Sequence, residues 1–231
     1  MTEEEKAIHQ SRSDLTENYI RGRGIEVGAG SRPVPIPRGA LVSYGDIRDE
    51  LQLKKYFSDA QIPKGNFIDA QSFQGVPNCS FDFIISAHVL EHLRDPVGAI
   101  FNAIDRLVVG GFFFLVVPDR RFTWDRERPN TSIQHAMADF ADGGESTTVQ
   151  GYDERLRYVH PIMTSQHLTE EEIIRQSHLS AARWRELDIH FHAWDREALD
   201  RLLGACGQMR EFELLASQII VNENQYILKR K

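Results

Sequence analysis

A glycine turn and three carboxylates are the residues of this 231-residue chain whose types and spacing most directly suggest chemistry. Gly24-Ile25-Glu26-Val27-Gly28-Ala29-Gly30-Ser31 leads an apolar strand into glycines, whose missing Cβ atoms let the backbone approach a ligand closely. Asp46 and Asp69 close the next two strand-like runs. A carboxylate at such a strand end can accept from ribose hydroxyls, and one beside it from an adenine amino group. Each feature has a plainer alternative: a turn joining two elements, a solvated turn residue, a helix cap. Three acidic groups closing successive strands nevertheless describe a nucleoside site. The dinucleotide fingerprint needs a third glycine at position 33, which is Pro33 here. Pro33-Val34-Pro35-Ile36-Pro37 cannot open the regular helix whose N-terminus holds a pyrophosphate, so NAD and FAD are disfavoured. S-adenosylmethionine (SAM) carries no phosphate, and Glu26 is the candidate acceptor for its amino group.

These groups need a scaffold that delivers strand ends to one edge. Strand-like runs at 24–27, 40–44, 66–68, 81–86 and 112–117 alternate with helical patterns at 49–58 and 97–108, the latter stopped by Gly110-Gly111. Alternation at this spacing predicts an α/β domain with a mainly parallel sheet and helices on both sides. From 119 to about 189 the chain turns polar and loses the strand period. Helices are expected near 132–140 and 169–187, the second opening on a Thr169-Glu172 capping box. Such an insertion reads as a lid or binding element within a single domain spanning 1–231. Asp195 is the expected N-cap of a helix reaching Gly204. Runs 212–221 and 225–228, separated by Asn222-Glu223-Asn224, predict a terminal antiparallel hairpin.

The set GIEVGAG, YGD, IDA, FDFIISAHVLEHL and the Gly-Gly before FFFLVVPD resembles the class I SAM-dependent methyltransferases of the type 11-like kind, in the expected order over the first half of the chain. The resemblance implies a Rossmann-like seven-stranded sheet with its last strand antiparallel. It implies that Glu26, Gly28, Ala29 and Gly30 line the methionine end and that Asp46 and Ile47 meet the ribose. Asp69 and Ala70 would meet the adenine, with Ser86, Ala87 and His88 closing the pocket. The Pro-rich stretch after Gly30 departs from the family's usual helix and leaves that loop's conformation open.

VPDRRFTWDRERP, then His135, Asp139 and DIHFHAW, are similar to one bacterial subgroup that accompanies glycosyltransferases in surface-polysaccharide assembly. That likeness implies a sugar or glycan hydroxyl as methyl acceptor and a glycosyltransferase as partner. The residue types agree: Arg forks bind carboxylate or phosphate, and Trp stacks on a sugar face. Arg121, Trp124, Arg126, His135 and His160 are therefore the candidate acceptor-binding residues, although an ion-paired loop would look the same. Transfer to a hydroxyl needs alignment and removal of a proton, a task suited to histidine near neutral pH. His190 and His192 share a face if their segment is extended, and with Asp119 they are the candidate catalytic groups. A structural hydrogen-bonding role is the alternative for each. No metal is expected, because His190 and His192 with Asp188 or Asp119 form no HxxxH or clustered-carboxylate signature. His88 and His92 read as part of the shared HVLEHL motif.

A net charge of −7 argues against a broad nucleic-acid or anionic-membrane surface. Cys79 and Cys206 are far apart and outside any CxxC pattern, so a disulfide framework is not expected and a reducing cytoplasm is. The acidic MTEEEKAIHQ is neither signal nor anchor, and 112–117 is too short to span a bilayer. Two alternatives remain: methylation of another small acceptor (aromatic, isoprenoid or amine), and a SAM-binding partner of a glycosyltransferase without catalysis.

Overall fold

The computed structural model describes residues 1–58 and 61–231. In chain order the strands are β1 (Arg23–Val27), β2 (Leu41–Asp46), β3 (Asn66–Phe67), β4 (Phe81–Ala87), β5 (Leu107–Pro118), β6 (Phe212–Ile220) and β7 (Glu223–Arg230). They form one sheet in the order β3-β2-β1-β4-β5-β7-β6, parallel except that β7 runs antiparallel to both β5 and β6. This is the expected Rossmann-like topology with its antiparallel last strand.

Both faces of the sheet are covered, which is why β5 reads as an unbroken apolar run. Side chains alternate across it. Phe113, Leu115 and Val117 join Ile25, Val27 and Ile84 on the face packed by α3 (Pro96–Arg106) and α8 (Arg196–Met209). Phe114 and Val116 join Phe83, Ile85 and Ile227 on the face that receives Leu15 of α1 (Glu3–Tyr19). The helix α1 has no counterpart in the sequence reading. A Thr2–Glu5 capping box starts it, three glutamates occupy its first turn, and Arg12 anchors it to Glu223 by bonds of 2.5 and 3.1 Å.

Local signals place the other helices well. Asp49 caps α2 (Glu50–Phe57), Thr169 caps α7 (Glu170–Ala181) and Asp195 caps α8. Several boundaries differ from expectation, among them α7, which ends at Ala181 instead of reaching 187. The helix α3 stops at Arg106 because Leu107 and Val108 open β5, and α8 continues through Gly204 to Met209. The terminal hairpin turns at Val221-Asn222, with Val221 left-handed at φ 53°, so Glu223 and Asn224 already belong to β7. No helix among the described residues is long and apolar enough to cross a membrane.

The 119–189 segment is mostly helical: α4 (Ile133–Asp142), α5 (Thr148–Glu154), a π-turn over Arg155–Val159, α6 (His160–Thr164) and α7. One buried cation ties it together. The Arg128 guanidinium bonds Asp125 (2.9 Å), Glu154 (2.9 Å) and the carbonyls of His190 (2.8 Å) and Phe191 (2.9 Å). Removing one partner of such a buried set leaves charge unpaired, at a cost of about 3–5 kcal/mol. Arg128→Met is expected to lower unfolding free energy by that order in urea titration. Arg128→Lys is expected to recover little, because an ammonium cannot present the planar fork to four acceptors.

Candidate active site

The C-terminal ends of β1, β2 and β4 open on one edge, the place where open α/β sheets bind ligands. Gly28 (φ 69°) and Gly30 (φ 53°) turn the chain there in the left-handed region. The Gly28 N–H donates to the Gly45 carbonyl at 2.8 Å, and a Cβ on Gly28 would lie 2.4 Å from Val89. The turn therefore depends on glycine for conformation and for space. The neighbouring Pro-rich loop is held by Glu26, whose two oxygens accept from the Val34 N–H at 3.0 and 3.2 Å. Glu26 is fully buried, and burial pushes its pKa up to about 8 despite that bond. Its carboxylate thus accepts from the protein's own backbone.

Asp46 ends β2 half-buried, with one oxygen accepting from the Arg48 N–H at 2.8 Å; burial raises its pKa. With Ala29, Gly30 and Leu53 it lines a cleft of about 320 Å3. Ile47 beside it is exposed. Asp69 directs both oxygens into its own turn, to the Gln71 N–H (2.9 Å) and the Ser72 hydroxyl (2.8 Å), which is the helix-cap-like alternative. Ala70 packs partly buried against the core. Ser86 is buried, and Ala87 and His88 stand half-buried at the end of β4.

Beyond β4 three imidazoles stand around Glu91 and Asp188, each with one nitrogen against a carboxylate. His88, left-handed at φ 56°, places Nε2 2.8 Å from Glu223. His92 places Nδ1 2.7 Å from Asp188, and His190 places Nδ1 2.5 Å from Asp125. The His92 and His190 rings meet edge to face at 4.6 Å, and the three side chains are 37, 29 and 30% exposed. A backbone bond from His192 N–H to the Glu91 carbonyl (3.1 Å) brings the two segments together. Burial opposes ionisation of Asp125, yet its bonds to His190 and Arg128 hold it down at about 2. Burial likewise opposes ionisation of Glu223, and His88 and Arg12 hold it at about 2. Asp188 also takes Arg48 (3.0 Å) and Tyr56 (2.9 Å), strapping the end of the insertion to the segment after β2.

The other expected groups lie elsewhere. His192 is 1% exposed, bonded to Asp139 (2.9 Å) and stacked on Trp194; burial lowers its pKa, so it is a neutral packing residue. It does not share a solvent face with His190, because α4 covers it. Asp119 is fully buried, with both oxygens on the Arg121 guanidinium at 2.9 and 2.7 Å, which removes it from the candidate bases. His135 turns to Asp139 at 3.4 Å, and His160 buries an Nε2 that has no partner among the described residues. Trp124 and Arg126 face solvent. The sequence reading passed over Glu91 as a functional group, though it sits in HVLEHL between two of these histidines.

A family model described as a methyltransferase domain matches residues 14–207. The chain belongs to this methyltransferase family. SAM is its methyl donor, and the glycine turn and Asp46 suit a cofactor that brings no phosphate. None of the curated proteins matches the chain. A solved structure titled as a candidate Zn-dependent alcohol dehydrogenase from Rhodobacter sphaeroides is similar at 16% identity and TM-score 0.57, over 96% of this chain and 90% of that one. The PH0226 protein from Pyrococcus horikoshii OT3 is similar at 14% identity and TM-score 0.54, over 100 and 92%. A Thermotoga maritima SAM-dependent methyltransferase, possible histamine N-methyltransferase, aligns at 14% identity and TM-score 0.52, over 98 and 90%. At these identities the likeness shows the fold.

The raised Glu26 pKa has a signed consequence. Between the ordinary value of 4.5 and about 8, the folded methyltransferase keeps a proton that the unfolded chain releases, so stability falls as pH rises through that window. The slope from this group is at most about 1.4 kcal/mol per pH unit. Thermal denaturation across the window is expected to show a shallower decline for Glu26→Gln. Parallel curves for the two proteins would mean that Glu26 is ionised in the fold.

Proposed function

We propose that this methyltransferase transfers the methyl group of SAM to a hydroxyl of a sugar or glycan intermediate. The observation that carries the reading is the group of three partly exposed imidazoles, each fixed by a carboxylate, at the strand end beside the glycine turn. Polar donors and acceptors in fixed positions suit a hydroxylated acceptor better than an aromatic or isoprenoid one. SAM supplies an electrophilic methyl group on a sulfonium when bound. Gly28, Ala29 and Gly30 would hold its methionine end and Asp46 its ribose, with Ser86 and Ala87 closing the pocket floor. His88, His92 and His190 orient the acceptor hydroxyl, and His192 supports them from within the core. Exposed Trp124 and Arg126, near Asp125 in sequence, give a longer glycan further surface. The 119–189 segment serves as the acceptor-binding lid, strapped down through Asp188. An acceptor of this kind is consistent with a glycosyltransferase acting in the same assembly sequence.

Labelled SAM offered with free sugars, nucleotide sugars and glycans, beside catechols, isoprenoids and amines, tests the acceptor class. Label is expected on a sugar oxygen, and label confined to amines or aromatics would exclude it. Asp46→Ala is expected to weaken S-adenosylhomocysteine binding by about 1–3 kcal/mol in calorimetry, since it leaves ribose hydroxyls unpaired. Unchanged affinity would remove Asp46 from the site.

A further inference from the structure

Glu91 is 1% exposed, and neither carboxylate oxygen has a hydrogen-bond partner among the described residues. An isolated carboxylate is among the most costly groups to bury, and buried charges normally pair or coordinate metals. The atoms that face it are imidazole nitrogens. His88 Nδ1 and His92 Nε2 each lie 3.8 Å from Glu91 Oε1. One ligand atom each from Glu91, His92 and His190 can be chosen so that all lie within 4.8 Å of one another. These distances are too long for hydrogen bonds and leave room for an ion between the groups.

We propose that Glu91, His92 and His190 bind a first-row divalent cation at the acceptor end of the site. The donor set is two imidazoles and one carboxylate, a combination used by zinc and by non-haem iron sites that keep open positions. The outer nitrogens add a second, independent feature. Asp125 is hydrogen-bonded to His190 Nδ1 at 2.5 Å, leaving Nε2 as that ring's ligand atom, and Asp188 stands 2.7 Å from His92 Nδ1 as an ion-pair contact outside hydrogen-bond geometry. Carboxylates behind ligating histidines fix the tautomer and raise ligand basicity. His88, with Glu223 at its Nε2, turns Nδ1 toward Glu91 from outside this group of three. The three rings are partly exposed, so one side of the ion stays open to an acceptor.

The second cluster of this composition lacks that opening. His135, Asp139 and His192 are nearly or fully buried, Asp139 already accepts from the Thr147 hydroxyl, and His192 Nε2 already contacts Asp139. Asp139 and His192 form a hydrogen-bonded core pair with His135 packed beside them.

The role of the ion rests on the proposed hydroxyl acceptor. An acceptor oxygen on the open side would be polarised, and its proton would pass to water. The O–CH3 bond then forms as the C–S bond breaks, leaving S-adenosylhomocysteine. Metal binding itself needs neither acceptor nor SAM, so it is tested separately. The metal-free full-length chain is titrated with Co2+ and followed by its visible d–d absorption, with Zn2+ as competitor. One saturable equivalent is expected, displaced by Zn2+ and stripped by a chelator. His190→Gln and Glu91→Gln are each expected to weaken Co2+ binding at least about 10–100-fold, and Asp125→Asn by about that range. Circular dichroism checks the fold of each variant, and the partly exposed position of His190 makes His190→Gln the decisive one. Absence of one-to-one binding, or unchanged affinity in folded His190→Gln, overturns the proposal. Failure of the sugar panel with Co2+ binding intact would overturn only the acceptor reading.

Discussion

The buried Arg128 guanidinium is the interaction on which the 119–189 insertion depends. A cation with no exposure persists only if its attraction to nearby groups outweighs desolvation, which demands near-complete pairing. Asp125 and Glu154 supply the charge, and the carbonyls of His190 and Phe191 supply the remaining acceptors. These four groups come from the loop after β5, from α5 and from the segment returning to α8. Their common partner therefore sets how the insertion meets the sheet. Asp125 then passes the constraint on, since its other oxygen holds His190. The position of one exposed imidazole is thus decided by a guanidinium that meets no solvent.

The same logic recurs around β4. Glu223, the first residue of β7, receives Arg12 from α1 and His88 from the strand end, and Asp188 joins His92 to Arg48 and Tyr56. Each histidine is thereby held by an element distant in sequence. His88 adopts a left-handed conformation unusual for a residue with a Cβ, a strain typical of functional sites and tolerated when surrounding contacts over-determine it. A sheet packed on both faces provides that rigidity, and polar groups gather only where the strands end.

Legibility in the sequence followed the range of the interactions. β5 was plain as a doubly buried strand, and Thr169 and Asp195 announced their helices because a cap acts within three residues. The end of α3 was ambiguous because Leu107 and Val108 fit a helical face and a strand equally well. The helix α1 escaped notice because its apolar stripe is thin, and its hold on the domain comes from Leu15 and from the Arg12–Glu223 pair more than 200 residues apart. The glycine turn and the position of Asp46 at the end of β2 were readable from local pattern. The separation of His190 from His192 was not, because period two tells which side chains share a face but not which face α4 will cover. Glu91 was visible in HVLEHL, but its lack of a partner appears only when the chain returns 100 residues later.

Glu26 shows that a motif residue also has a structural task in the fold. Its position at the end of β1 marks a demanding place, and the demand turns out to be structural. Where a dinucleotide site would continue into a helix, this chain runs through three prolines, and the Val34 N–H has to find an acceptor inside the core. Glu26 provides it, and the buried Val34 side chain seals the loop against the α1 face. A site for pyrophosphate could not accept this solution, because it needs the N–H groups and dipole of a helix start. A sulfonium cofactor has no such need. The Pro-rich loop, held by Glu26 in place of a helix start, is therefore compatible with a cofactor that brings no phosphate.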